Sequence, residues 1–414
     1  MMKKELLLAM ALLASLAVRA ISLEECRQMA HDNYPAIKQY KLIDLSRDFT
    51  LDNASKGWLP KVSVSAGAYA FTDILSTNGQ MKKMGFDMNN WMANASVTVQ
   101  QNVYDGGQIA AQKEVATAQA DVQKHQLNVS MYAINERIDQ LFFGILLLDE
   151  QLAQNELLQK DLSTGEQTVR SMMKGGIANQ SDLDAILVEK LKVSQQKESL
   201  TASRKAYVRM LGVFVGKQLA ENEQLEKPEA AACNGEWGKS RPELSYYDSQ
   251  NQLLDSQRKQ LDTRLRPTVS LFGLGMMHSN VSDLLNNGVL AAGVSVAWNI
   301  GALYTRKNDI KNLDMQRSMI DVQRETFLFN NSLQNEEADG NIASLRKQIV
   351  QDDEIVRLRE SIRGKADKKV QLGTESVNEL VRDINAVSLA KAQKAQHELL
   401  LLKEIYKQKN LNNQ

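Results

Sequence analysis

The chain has 414 residues, with 50 lysines and arginines set against 50 aspartates and glutamates, and only five prolines. Zero net charge gives no electrostatic footprint for nucleic acid, and two cysteines are too few for a disulfide framework. The length alone would hold two or three ordinary domains, so organisation has to be read from pattern.

The first twenty residues carry Lys3 and Lys4, an apolar run from Leu6 to about Val18, and Val18-Arg19-Ala20 as a small-x-small cleavage site. This is a secretory signal peptide over residues 1–20: the run is too short to span a bilayer, and no stop-transfer pattern follows it. No cysteine stands directly after the cleavage point, which disfavours lipoprotein export. The mature chain is expected to begin at Ile21 and to work outside the cytoplasm.

From there the same order of punctuation occurs twice: a proline, a helix-length stretch, a second proline, two alternating runs, and a very long proline-free stretch. Pro35 and Pro242 differ by 207, as do Pro60 and Pro267 and the two cysteines, Cys26 and Cys233. Farther along the offset becomes 197, linking Val97 to Val294, Asn102 to Asn299, Gly176 to Gly373 and Leu183 to Leu380. Ten extra residues therefore sit in the first copy, between Phe71 and Trp91. Self-similarity on this scale defines an internal duplication. The first copy covers residues 21–213 and the second 241–414. Between them, 214–240 contains Pro228, Asn234-Gly235 and Gly238 and reads as a linker.

In the first copy, residues 60–72 and 91–104 alternate strictly: Val62, Val64, Ala66 and Ala68 fall on one face, and Ala93, Ala95, Val97 and Val99 do the same in the second run. In the second copy the runs are 267–278, the least regular of the four, and 289–300. Each is as long as a tilted membrane-crossing strand, about 9 to 11 residues. An exported chain without an apolar span of about 20 residues can cross a membrane only as a closed barrel. Four strands cannot close one, so strands in lipid imply an oligomer. An ordinary half-buried sheet in a soluble domain is the bland alternative.

Long helices follow over about 107–173 and 301–370, each on the order of 100 Å if continuous. Ile134, Ile138, Leu141, Ile145, Leu148 and Leu152 step by four and three, which is a coiled-coil seam. Ile342, Leu345 and Ile349, then Ile355, Leu358 and Ile362, form a second seam with a phase shift. Lys174-Gly175-Gly176 and Leu372-Gly373-Thr374 supply left-handed C-caps. N-cap types then open return helices over about 180–211 and 376–408.

No catalytic constellation emerges. His31, His125, His278 and His397 are scattered, with no His or Cys pair at metal-ligand spacing, so neither metal nor cofactor is expected. Gly212 to Gln218 is one spacer short of a phosphate loop and has Gln in place of Ser or Thr.

The two tandem copies of helix, strand pair, long helix and return helix resemble the TolC-like outer-membrane efflux protein family over nearly the whole mature chain. The residues that carry the likeness are Asn33-Tyr34-Pro35, Leu59-Pro60-Lys61-Val62, Val103-Tyr104-Asp105-Gly106-Gly107, and Gly176 with Ser181-Asp182-Leu183. The resemblance implies a mostly helical protein with a membrane β-barrel contribution. It would be a homotrimer whose twelve strands close one barrel in the outer-membrane lipid, continued into the periplasm by a barrel of twelve helices. It also implies a passive exit duct rather than an enzyme, serving a tripartite efflux pump or a type I secretion system with an inner-membrane transporter and a periplasmic adaptor (membrane fusion protein). By the same resemblance Lys174, Gly175, Gly176, Leu372, Gly373 and Thr374 would form the adaptor-docking tip. Asp182, Glu379 and Asp383 would line the periplasmic entrance, although Arg382 stands where the family often has an acid. The competing expectation is a soluble periplasmic coiled-coil scaffold or adaptor.

Overall fold

The computed structural model describes residues 20–70, 91–230, 241–279 and 288–413. The predicted signal peptide up to residue 19, residues 71–90 with Phe71, and the linker residues Cys233, Asn234, Gly235 and Gly238 lie outside the described residues.

The elements run in chain order as α1 (Leu23–Asn33), α2 (Lys38–Ser55), β1 (Lys61–Ala70), β2 (Trp91–Tyr104), α3 (Gln108–Lys174), α4 (Gln180–Val215), α5 (Pro242–Thr263), β3 (Thr268–Ser279), β4 (Gly288–Ala297), α6 (Ala302–Gln371) and α7 (Val377–Asn412). The backbone groups two compact units, each taking segments from both sequence copies. One holds residues 39–126 and 245–324, the other 1–38, 127–244 and 325–414.

In the first unit the four strands form one antiparallel sheet in the order β1-β2-β3-β4. Register places Val62 opposite Val99 and Val64 opposite Val97, Val97 opposite Gly275, and Gly275 opposite Leu290. One continuous apolar face results, because directly opposed residues point the same way. Nothing among the described residues covers it: Val64 is 75% exposed and Leu290 91%. The opposite face is polar on β1 and β2, where the Ser65 and Ser96 hydroxyls share a hydrogen bond of 2.8 Å. β4 stops at Ala297, three residues before its expected end, and Trp298 turns its indole N–H onto the Leu265 carbonyl at 2.9 Å.

The helices of this unit are laced by charge. Asp248 meets Arg324 at 3.2 Å, Asp255 meets Arg317, and Asp262 meets Arg306 at 2.8 Å, so α5 runs antiparallel to α6. Asp105 explains the Asp-Gly-Gly motif. Its carboxylate accepts from the Gly107 and Ile109 amides at 2.8 and 2.6 Å, capping α3. Gly106 has φ +69°, and a side chain there would sit 2.9 Å from Arg266 Cβ.

The second unit packs α1, most of α3 and α6, and the return helices. The α3 seam is buried from Ile134 through Ile145 and half-buried at Leu148 and Leu152. The second seam divides at the phase shift: Ile342 is buried, whereas Ile355, Leu358 and Ile362 remain exposed in the single chain. The return helices outrun their expected ends. Gly212 stays helical, and α4 stops at Gly216, whose φ is +71°. Asn33 of the Asn-Tyr-Pro motif donates to the Val213 and Phe214 carbonyls at 3.1 Å, filling the orphan acceptors of that helix end.

Cys26 is buried and has no disulfide partner among the described residues. Burial, with Glu25 and Glu24 beside it, pushes its thiol up to about 12. Among the described residues no helix is long and apolar enough to cross a membrane.

Candidate functional site

The two helical hairpins end in the same turn. At the α3–α4 tip the Ile177 amide donates to the Met172 carbonyl at 2.9 Å and the Gly176 amide to Met173 at 3.1 Å. At the α6–α7 tip the Thr374 amide donates to Lys369 and the Gly373 amide to Val370, both at 2.9 Å. Paired six-to-one and five-to-two bonds of this kind are Schellman motifs, which need a left-handed residue at the turn. Gly176 and Gly373 supply it, with φ of +73° and +71°.

The tips lie against each other, since a side chain begun at Gly373 would meet Ile177 Cγ2 at 3.4 Å. Behind them Leu162, Val169, Ile186, Val370, Leu380 and Ile384 form a buried core that fixes both turns. Lys174, Gly175, Gly176, Leu372, Gly373 and Thr374 are all exposed on this platform. Leu372 and Ile177 leave apolar surface in water.

The three acids divide by role. Asp182 and Glu379 hold equivalent positions, each with its backbone amide donated at 3.2 Å to the N-cap side chain, Asn179 or Ser376. Asp182 also accepts from the Asn179 amide at 3.0 Å, completing a capping box. Helix capping by itself accounts for an acid at that position, and both side chains remain half-buried. Asp383 lies one turn beyond Glu379 but is only 7% exposed, so its carboxylate is turned into the chain's own packing. Arg382 between them is exposed.

A polar centre that the sequence did not announce lies elsewhere in this unit. Arg27 of α1 makes a bidentate pair with Asp139 of α3, at 2.9 and 2.7 Å. Asn410 of α7 donates to the same carboxylate. The Asn410 carbonyl accepts from Tyr132 at 2.6 Å and from Arg241 at 2.8 Å. Burial pushes the Asp139 carboxyl above the ordinary range, against the pull of Arg27. The only trace in sequence is an aspartate directly beside the apolar seam residue Ile138.

Among the described residues no group of three or more His, Cys, Asp or Glu side chains is placed to hold a metal ion. No family model matches the sequence, and no curated relative does. Solved structures do match, at low identity. The CmeC outer-membrane channel of Campylobacter jejuni is 11% identical with TM-score 0.66, covering 94% of this chain and 85% of that one. The MtrE outer-membrane channel of Neisseria gonorrhoeae is 12% identical with TM-score 0.66, covering 94% and 88%. The outer-membrane protein VceC of Vibrio cholerae is 12% identical with TM-score 0.62, covering 92% and 95%. The chain thus shares the fold of these outer-membrane proteins, helical over most of its length with one small sheet.

Proposed function

We propose that the chain is the outer-membrane duct of a tripartite export system: a passive, trimeric channel-tunnel that takes cargo from an inner-membrane transporter through a periplasmic adaptor. The observation that carries this reading is the sheet. Four strands leave β1 and β4 as free edges among the described residues, and one face holds exposed valines and leucines. A soluble scaffold would keep that face in water and those edges unpaired, which invites aggregation. Lipid against the apolar face and neighbouring copies on both edges resolve the two problems together. The fold shared with outer-membrane channels supports the same placement, in the outer membrane with helices reaching into the periplasm.

Within this reading the glycine tips are the adaptor-docking surface. Glu379 and Asp182 contribute the acidic entrance, and three symmetry copies would concentrate negative charge there. Asp383 contributes less, because its carboxylate is turned inward. In single-channel recordings Glu379→Ala is expected to lower the cation-to-anion permeability ratio more than Asp383→Ala does. An unchanged ratio in the Glu379 variant removes the acid ring.

A further inference from the structure

Resting on the duct reading above, we propose that the barrel interior sorts cargo by polarity. The inner face of β3 and β4 is an apolar track that holds uncharged, ring-bearing molecules, beside a polar track on β1 and β2, and Phe272, Leu274 and Met276 set the preference.

Register assigns the residues to faces. Thr98 lies opposite Ser63 and Leu274, and Leu274 opposite Ala291. Ser96 lies opposite Ser65 and Met276, and Met276 opposite Val289. Gln100 faces Phe272, which faces Gly293. These positions lie behind the face that carries Val64, Val97 and Leu290, so with that face in lipid they line the pore. Exposure agrees. Asn94, Ser96 and Thr98 are half-buried, whereas Ala95, Val97 and Val99 are exposed. Phe272, Leu274 and Met276 are half-buried between the exposed Leu271 and Met277. Side chains on the inside of a curled sheet crowd one another in this way, and those on the outside splay apart.

Pore-facing residues of a barrel are polar as a rule. On β1 and β2 they follow it with Ser63, Ser65, Ser96, Thr98 and Gln100, and the Gln100 amide donates to the Ser270 hydroxyl at 2.9 Å. Beyond Ser270 the rule fails. The inner positions become Phe272, Leu274, Met276, Val289 and Ala291, so this hairpin is apolar on both faces. That is why β3 alternates least regularly of the four strands.

The fold does not demand these apolar side chains. The offsets of 207 and 197 carry Ser65 and Gly67 onto Phe272 and Leu274, and Asn94 onto Ala291, so the same positions of the first copy take small or polar residues. Sheet packing accounts for Phe272 in part: a Cβ at Gly293 would lie 3.0 Å from the Phe272 ring, so the glycine leaves room for the ring to lie against β4. No such gap accounts for Leu274 and Met276, which face Ala291 and Val289. The inner positions from Ser63 to Tyr69, Asn94 to Gln100, Ser270 to Met276 and Val289 to Ala297 are all uncharged. Charged cargo finds no ion pair on such a wall, whereas an aromatic surface laid on the track leaves water and meets a ring and a thioether.

Polymer blockade of the purified channel in planar bilayers tests the track. A short polyethylene glycol capped with a naphthyl group is expected to block about tenfold longer than the uncapped polymer, the size of one or two aromatic contacts. A sulfonate on the cap should cancel most of that gain. Phe272→Ser combined with Leu274→Ser and Met276→Ser should bring the capped polymer down to the uncapped value while ionic conductance holds, and Phe272→Ser alone should bring it part of the way. Ser65→Phe writes a ring into the polar track at the equivalent position and should lengthen the blockades, which tests the idea without relying on the triple variant. Equal blockades by capped and uncapped polymer in a conducting channel overturn the apolar track and leave the duct reading standing. A sulfonated cap that dwells as long as the neutral one overturns the preference for uncharged cargo. A purified chain that forms no conducting channel overturns the track and the duct together.

Discussion

Aspartate at either hairpin turn, Gly176→Asp or Gly373→Asp, is expected to lower export by on the order of ten- to a hundredfold while the trimer stays intact. The fold has little to lose. A left-handed backbone costs an ordinary residue roughly 1–2 kcal/mol, and Asp tolerates that conformation better than most. A Cβ at Gly176 meets no atom within 4 Å, and one at Gly373 meets only Ile177 at van der Waals distance. The carboxylate would also sit at a helix C-terminus, where like sign adds about 0.3–1 kcal/mol. None of this approaches global unfolding of a domain, about 5–15 kcal/mol. A docking surface is far more sensitive: one buried unpaired charge costs about 1.4–2.8 kcal/mol for a ten- to hundredfold loss of affinity. Dye accumulation in a strain whose extrusion depends on this chain measures the loss. Gly→Ala at the same positions imposes the backbone strain without the charge and should export nearly normally. Normal export by both aspartate variants removes the docking role of the tips.

Arg27→Ala is expected to destabilise the helical unit by about 3–5 kcal/mol, the cost of stranding a buried partner charge. Asp139 is held at one end of a network that also fixes Asn410 and, through its carbonyl, Tyr132 and Arg241. Its carboxyl already titrates above the ordinary range because burial outweighs Arg27. For a group raised in the folded state, the stabilising contribution is full below the unfolded value near 3.8 and is lost as pH rises through the folded value. Removing Arg27 raises the folded value further. The deficit of the variant should therefore be largest near neutral pH and shrink on acidification, as Asp139 takes up a proton. Urea titration followed by helical circular dichroism at two pH values reads both effects, and Arg27→Ala with Asp139→Asn should recover part of the loss. A variant that matches the parent at neutral pH would show the pair to be dispensable.

Much of this is legible in the sequence, because the signals are local or periodic. The alternation around Val62 and Val97 gave the strands, and the glycines at 176 and 373 gave turns that the backbone confirms as left-handed. What could not be read was set by tertiary neighbours. Gly212 looks like a helix end, yet it stays inside α4, and a Cβ there would lie 2.9 Å from the Lys217 carbonyl oxygen. Ile355, Leu358 and Ile362 keep a heptad spacing, but their phase turns them out of the single chain. Arg27 and Asp139 are 112 residues apart, and no spacing rule connects them. Asp182 could be read as an entrance acid, but its hydrogen bonds also give it a capping task, which no spacing distinguishes.

In the proposed duct the sheet is completed by other copies of the same chain. Light scattering or native mass spectrometry on the particle extracted from outer membranes in mild detergent tests it directly. A protein mass of three processed chains, stable on dilution, is expected. A monodisperse single chain, soluble without detergent, would contradict it.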